Sequence, residues 1–344
     1  MKTIILCGGG TAGHIIPNLA LYHELKDYFS NVIYLGEKNS MEEKMARDAG
    51  IEFLPINSVK FDRTNYLKNF SVICKLKKYV NECCSILKST CADVVFSKGG
   101  YVSLPVTLSA KKLNIPYCIH ESDLTMGLAN KIVANKASVV FTNFEKTYHG
   151  KKHRPIGIPM RRDLFCNISQ KDLLREYSLP NRKTILITGG SLGAQKINDV
   201  ISLVYRDLTK KYNVIHLTGK GKSTKNCAHG YKQLEFSKEM GKLYKMADLT
   251  ISRAGATTIA ELCALNKKAI LIPLSKSASR GDQIKNAIEV SNSQNFEVIF
   301  EENLTPQSLL NAVDKMMDKE ITRRIEYKNP SLEIAEVLYE LTLK

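Results

Sequence analysis

Two short sets of residues have the types and spacing for chemistry. One is His14, which closes Cys7-Gly8-Gly9-Gly10-Thr11-Ala12-Gly13, and the other is Ile119-His120-Glu121-Ser122-Asp123. An imidazole titrates near neutrality and suits proton transfer, so His14 is a candidate general base. Glu121 and Asp123 stand behind it as alternatives, and the residues alone do not rank the three. The glycines before His14 allow a tight turn and close approach to a ligand, and the helix that follows offers unpaired N–H groups to an anion. A second glycine loop, Thr188-Gly189-Gly190-Ser191-Leu192-Gly193-Ala194, opens the other half of the chain. Neither loop ends in the Gly-Lys-Ser/Thr of a Walker sequence. Gly8, Gly10 and Gly13 fit the G-x-G-x-x-G of dinucleotide sites, but a single loop of this kind is also an ordinary turn. Two loops in matching positions point instead to paired ligand-binding domains.

Two further turns follow the same pattern. Ser97-Lys98-Gly99-Gly100-Tyr101-Val102-Ser103 is a strand end running into glycines. In Ser252-Arg253-Ala254-Gly255-Ala256-Thr257-Thr258, small residues lead into a helix whose early turns carry Glu261, placed to accept hydrogen bonds from a ribose diol. Asp282 and Gln283 begin a later helix and could grip sugar hydroxyls. Phe61 to Lys78 mixes aromatic and aliphatic residues with Lys and Arg, which suits either an anionic lipid surface or a basic amphipathic helix with an ordinary core side.

These residues need strands to carry them. Short apolar runs at Ile4–Cys7, Val32–Leu35, Ile51–Ile56, Asp93–Phe96, Pro116–Ile119 and Val139–Thr142 alternate with helical patterns. The scheme repeats at Thr184–Thr188, Asn213–Leu217, Leu249–Ser252, Ala269–Ile272 and Glu297–Phe300. Such alternation predicts an α/β protein of two doubly wound, Rossmann-like domains. Lys151 to Arg162 has the Pro, Gly and charge density of a linker, with a hinge near residues 157–163. A final helix over Ser331–Leu343, with Leu332, Ala335, Leu338 and Tyr339 on one face, is expected to dock onto a core.

The 344 residues, 44% of them hydrophobic, allow two domains with a sizeable core each. A net charge of +16 points to an anionic partner: nucleic acid, acidic lipid or a phosphorylated substrate. Nine scattered cysteines without metal-ligand spacing read as reduced thiols in a cytoplasmic protein, with no metal site. The first apolar run is too short for a signal peptide, and no segment has the roughly 18 apolar residues of a membrane span. No helix-turn-helix, RNP or zinc module supports nucleic acid as the partner.

In order and spacing, Gly8–His14, Gly99–Ser103, His120-Glu121, Gly189–Ala194, Ser252–Ala256 and Asp282-Gln283 resemble the MurG glycosyltransferases. The resemblance covers nearly the whole chain. It implies a glycosyltransferase B fold, two domains facing a cleft. Residues 1–160 plus 331–344 would form the acceptor and membrane-facing domain, and 161–330 the UDP-sugar domain. It implies an inverting transfer of N-acetylglucosamine from UDP-N-acetylglucosamine to the muramyl 4-hydroxyl of lipid I, at the cytoplasmic face of the bacterial membrane, without a cofactor. By the same resemblance, Glu261 would hold the ribose, Ser191 and Arg161 the region of the diphosphate, Ala256, Thr257 and Thr258 the backbone cradle beside it, and Gln283 the sugar hydroxyls. Thr11, Ala12 and Gly13 would lie near the donor as well, while Gly10, Thr11, His14 and Tyr101 would face the acceptor. Asp123 stands where many members carry Asn, which puts a carboxylate near the donor as sugar ligand or rival base. A UDP-N-acetylglucosamine 2-epimerase and a diacylglycerol-directed glycosyltransferase share the expected fold and are the nearest alternatives; a basic nucleic-acid-binding protein is the alternative from outside enzymology.

Overall fold

The structure is a computed structural model that describes residues 1–60, 69–190, 193–276, 281–322 and 325–343, with side chains from residue 72 in the segment beginning at 69. Phe61 to Lys68 of the basic stretch, Ser191 and Leu192 of the second glycine loop, and Ser279 and Arg280 lie outside the described residues. The chain divides into two compact units, Met1–Arg161 with Asn329–Lys344, and Arg162–Lys328.

The first unit is built on a parallel sheet of seven strands in the order β3-β2-β1-β4-β5-β6-β7. These are β1 (Thr3–Cys7), β2 (Asn31–Glu37), β3 (Glu52–Ile56), β4 (Val94–Ser97), β5 (Tyr117–Glu121), β6 (Val139–Thr142) and β7 (His153–Pro155). Every residue of β1, β4, β5 and β6 is buried, as expected where helices cover both faces of a parallel sheet. Alternation sorts the side chains. Ile5, Cys7, Val95, Ile119 and Val140 enter one core, whereas Ile4, Leu6, Phe96, Cys118 and Phe141 enter the other. Helices α3 (Asn69–Ser89), α4 (Ser103–Lys112) and α5 (Leu128–Val133) contribute to the first core, and α1 (Ala12–Leu25), α2 (Met41–Asp48) and the final helix to the second.

The second unit repeats the plan with six parallel strands in the order β10-β9-β8-β11-β12-β13. They are β8 (Thr184–Thr188), β9 (Asn213–Leu217), β10 (Tyr231–Leu234), β11 (Leu249–Ser252), β12 (Lys268–Leu271) and β13 (Phe296–Val298). Its helices are α6 (Gln170–Glu176), α7 (Gln195–Lys211), α8 (Met240–Met246), α9 (Ala256–Ala264), α10 (Asp282–Val290) and α11 (Pro306–Asp318). In α7, Ile197, Val200, Ile201, Val204 and Leu208 recur at helical spacing and all are buried against the sheet. Helix α11 starts at a capping box in which Thr305 and Ser308 exchange hydrogen bonds, with Pro306 at its first position.

Three expectations need correction. His153–Pro155, read as linker, is an edge strand paired to β6. Its proline ends the strand at the sheet margin, where the missing N–H costs no ladder bond. Tyr231–Leu234, not anticipated, pairs with β9 as the opposite edge of the second sheet. The last helix, α12 (Ser331–Glu340), buries Ser331, Ile334, Ala335, Val337 and Leu338, while Leu332 is half exposed. Leu332 lies about 100° round the helix from Ser331 and so leaves the core-facing stripe. Burial of Ile334 and Leu338 beside Leu21, Leu25 and Phe29 contributes on the order of 1.5–3 kcal/mol per side chain and ties α12 to the first unit.

In both sheets the chain first winds one way from a central strand and then returns to its other side. The reversal falls between β1 and β4 in the first unit and between β8 and β11 in the second. Ligands of open α/β sheets bind at that point, outside the carboxyl ends of the strands.

Candidate active site

In the first unit the loops after β1 and β4 flank the switch point. His14 Nδ1 lies 3.0 Å from the Gly9 carbonyl oxygen and 3.2 Å from Thr11 Oγ1. A carbonyl oxygen only accepts, so the neutral ring carries its proton on Nδ1 and its basic lone pair on Nε2. Gly100 makes this possible. A Cβ there would stand 2.5 Å from Gly9 O and 3.1 Å from His14 Nδ1, and its φ of +82° favours glycine. Gly10 is closely packed as well, since a Cβ on it would come within 2.9 Å of the Tyr101 ring. The Tyr101 hydroxyl donates to Glu37 Oε2 at 2.7 Å, and Lys60 Nζ sits 4.5 Å from the ring centre. Burial and then the Glu37 hydrogen bond push the phenol's pKa up, so it stays a donor. Gly10, Thr11, Ala12, Gly13, His14 and Tyr101 are thus gathered at the ends of β1 and β4.

The end of β5 divides by strand alternation. Glu121 is buried and accepts four hydrogen bonds: Oε1 from the N–H groups of Ser122 (3.0 Å) and Asp123 (3.2 Å), Oε2 from Gly127 N–H and Asn130 Nδ2 (both 2.9 Å). This carboxylate folds the turn that follows β5. Asp123, on that turn, is partly buried, and its carbonyl accepts from Thr147 Oγ1. His120 faces the opposite side with no exposed surface. Its Nε2–H donates to Gly157 O at 2.7 Å, so Nδ1 accepts from Lys98 Nζ at 2.6 Å. Burial, followed by the charge of Lys98, holds this histidine well below its ordinary pKa. Lys98 was not singled out from the sequence. The signal was present: a lysine that continues the fully buried run Val94–Ser97 straight into two glycines.

In the second unit, the glycine loop leads from β8 into α7. Gly193, with φ of +69°, abuts the Thr218 carbonyl so closely that a side chain could not be accommodated. The same carbonyl accepts from Asn198 Nδ2 at 2.9 Å, and Asn198 Oδ1 meets His216 Nε2 at 3.0 Å. Tyr231 OH completes the chain at 2.9 Å from His216 Nδ1. Burial pushes His216 down to about 4, so these contacts are neutral.

Beyond β11, α9 begins at Gly255 with no side-chain cap, which leaves the N–H groups of Ala256, Thr257 and Thr258 at the positive end of the helix. Glu261 is buried on the second turn, where its Oε2 accepts from Tyr244 OH at 3.0 Å. Gln283 lies at the start of α10 and accepts from Leu274 N–H at 3.0 Å, which leaves its amide hydrogens as the donor pair. The loop after β12 is held further by Arg253, which donates to Ile272 O and pairs with Glu301, and by Glu301, which accepts from Ser275 N–H. Neither Arg253 nor Glu301 was assigned from sequence, since their partnership spans 48 positions. Arg161, half-buried, ends the first stretch of the first unit; Ser191 lies outside the described residues. Among the described residues no cluster of His, Cys, Asp and Glu has the geometry to hold a metal ion.

Two doubly wound units, each with glycine-built loops at its switch point, make up a glycosyltransferase B fold. Residues 4–142 match the glycosyltransferase family 28 N-terminal domain and residues 184–338 its C-terminal domain. The chain is 43% identical over 326 residues to the UDP-N-acetylglucosamine--N-acetylmuramyl-(pentapeptide) pyrophosphoryl-undecaprenol N-acetylglucosamine transferase of Lachnoclostridium phytofermentans, covering 93% of this chain and 92% of that one. The Clostridium perfringens (strain SM101) protein of the same name is 42% identical, with coverage of 90% and 88%. A crystal structure of MurG from Acinetobacter baumannii superposes with a TM-score of 0.78 over 99% of this chain and all of that one, at 24% identity. The chain belongs to the MurG family of these N-acetylglucosamine transferases.

Proposed function

We infer that the chain moves N-acetylglucosamine from UDP-N-acetylglucosamine to the muramyl 4-hydroxyl of lipid I, giving lipid II. The observation that carries this is identity above 40% to transferases of that name over nine-tenths of the chain. The reaction is an in-line displacement. The acceptor oxygen bonds to the anomeric carbon from the face opposite the leaving group, its proton passes to a base, and the bond to the UDP oxygen breaks with inversion.

His14 is the proposed base, through Nε2. The Gly9 carbonyl and Thr11 hydroxyl at Nδ1 favour the tautomer with that lone pair and support the imidazolium that forms. Glu121, committed to four N–H donors, suits the holding of its turn, and Asp123 suits a sugar hydroxyl. Tyr101 and Gly10 would line the acceptor side. The first turn of α9 and Ser191, in the second unit, would receive the donor diphosphate, and Arg161, the last residue before that unit, is proposed to stabilise charge as UDP departs. Glu261 would accept from the ribose and Gln283 donate to the transferred sugar. Mass spectrometry of the chain mixed with UDP-N-acetylglucosamine and a lipid I analogue tests the reaction. The expected product is the glycosylated analogue; formation of UDP-N-acetylmannosamine without acceptor would overturn it.

The membrane side of the proposal rests on the helices flanking α4. Ile73 on α3 and Leu128 and Ile132 on α5 are exposed beside Lys75, Lys77, Lys78, Lys131 and Lys136, a mixture suited to an anionic headgroup layer at the cytoplasmic face. Among the described residues no helix is long and apolar enough to cross a membrane. Cosedimentation with phosphatidylglycerol vesicles, reduced by Lys131→Glu with Ile132→Ser, is the expected result; equal binding to neutral vesicles counts against it.

A further inference from the structure

Lys98 is among the largest fully buried side chains of the molecule, and the chemistry above makes no use of it. It continues the face of β4 that carries Val94 and Phe96, and its Cβ packs directly on Gly8, just ahead of the His14 loop. Nζ donates to His120 Nδ1 at 2.6 Å and to Ser122 Oγ at 2.7 Å. One amine therefore joins the end of β4 to the end of β5 and to the first residue of the turn that Glu121 folds. Through the His120 ring the link continues to the Gly157 carbonyl, at the exit from β7.

Both polar partners are neutral, and the nearby counter-charges are the carboxylates of Glu121 and Asp123. The ionisable groups at the element ends around Lys98 are Cys7 ending β1, Tyr34 on β2, whose hydroxyl donates to the Gly8 carbonyl, His14 opening α1, and His120, Glu121 and Asp123 on β5 and its turn. Burial holds the Cys7 thiol up at about 12 and keeps His120 uncharged. Lys98 is then the one cation among these groups that opposes two carboxylates.

We propose that Lys98 is a positioning residue for glycosyl transfer: as an ammonium it fixes the His120–Asp123 strand end and offsets the charge of Glu121 and Asp123, so that an anionic acceptor can approach. This rests on the reading that the first unit receives the acceptor. Burial pulls Lys98 down to about 7, against the opposing pull of Glu121 and Asp123. The amine is thus charged below that pH and neutral above it, and the productive arrangement is lost as pH rises. A histidine base fails in the other direction, as pH falls.

The test is kcat/KM against pH on a lipid I analogue. The wild-type profile should fall above about pH 7, and Lys98→Met should lower the plateau about tenfold to a hundredfold and abolish that alkaline limb while the acid limb remains. Ser122→Ala, a milder change that removes one acceptor favouring the charged amine, should move the limb to lower pH. It carries the test alone if Lys98→Met does not fold. A wild-type profile without the limb, or a limb unmoved in the variants, overturns the proposal, because a merely structural lysine would scale the profile without reshaping it. A chain that transfers no sugar at any pH overturns the underlying reading as well.

Discussion

The two units share a winding order and place their glycine loops at equivalent switch points, yet what lies beneath the loops differs. Under the first, the strand ends hold Lys98, His120 and Glu121, a buried lysine and a carboxylate with a histidine wedged between elements. Under the second, Asn198, His216, Tyr231 and the Thr218 carbonyl form a neutral chain, and the ion pair of Arg253 with Glu301 stands apart from it on the next loop. One architecture thus supports a titratable floor and a neutral one. A unit that manages protons gains from the former; a unit that grips a nucleotide across a range of pH gains from the latter.

The largest break in this contrast should come from His14→Ala. Loss of a positioned base lowers kcat by about a hundredfold to ten-thousandfold. Calorimetric titration with UDP should meanwhile be unchanged, since the nucleotide contacts assigned to the second unit remain; a matching loss of UDP affinity would assign His14 to binding. Glu261→Ala should do the reverse. Its UDP dissociation constant is expected to rise about tenfold to a hundredfold through loss of a buried charged acceptor, with the pH dependence of kcat/KM retained. A changed pH profile would make the second unit a participant in proton management.

The last effect concerns stability. His216 is held at about 4 in the folded chain, and an unfolded histidine titrates near 6.5, so between these values the unfolded state binds more protons. Stability should fall as pH drops through that window, by about 1.4 kcal/mol per unit and roughly 3 kcal/mol in all. Urea denaturation at pH 7 and pH 4.5 measures it, with His216→Gln expected to flatten the dependence. An unaltered slope in the variant would trace the acid sensitivity to other groups.

Much of the frame could be read from sequence because it follows from local patterning. Val139–Thr142, Thr184–Thr188, Asn213–Leu217 and Leu249–Ser252 are uninterrupted runs of strand-forming residues, and each is a strand over those same residues. The two edges were hidden for a physical reason. His153–Pro155 and Tyr231–Leu234 are short, polar and buried on less of their surface, so they carry no apolar run. In the site, the segments that bear His14, Tyr101 and Glu261 are legible as strand ends followed by small residues, and Gln283 as the start of a helix. What could not be read was direction and long-range pairing. His120 and Glu121 are neighbours in sequence and point to opposite faces of β5, and Lys98 resembles any solvated lysine until the fold closes over it. Arg253 meets Glu301 only once β12 and the segment after β13 are in place.

Helix α12 also bears on how the chain is made. The second unit lies wholly within residues 162–328, whereas the first needs Ile334, Ala335 and Leu338 to complete a core begun at Ile4. As the polypeptide leaves the ribosome, the later unit has all its parts before the earlier one does. Until α12 emerges, the half carrying His14 lacks the Ile334, Ala335 and Leu338 side chains that join its Leu21 and Leu25 core.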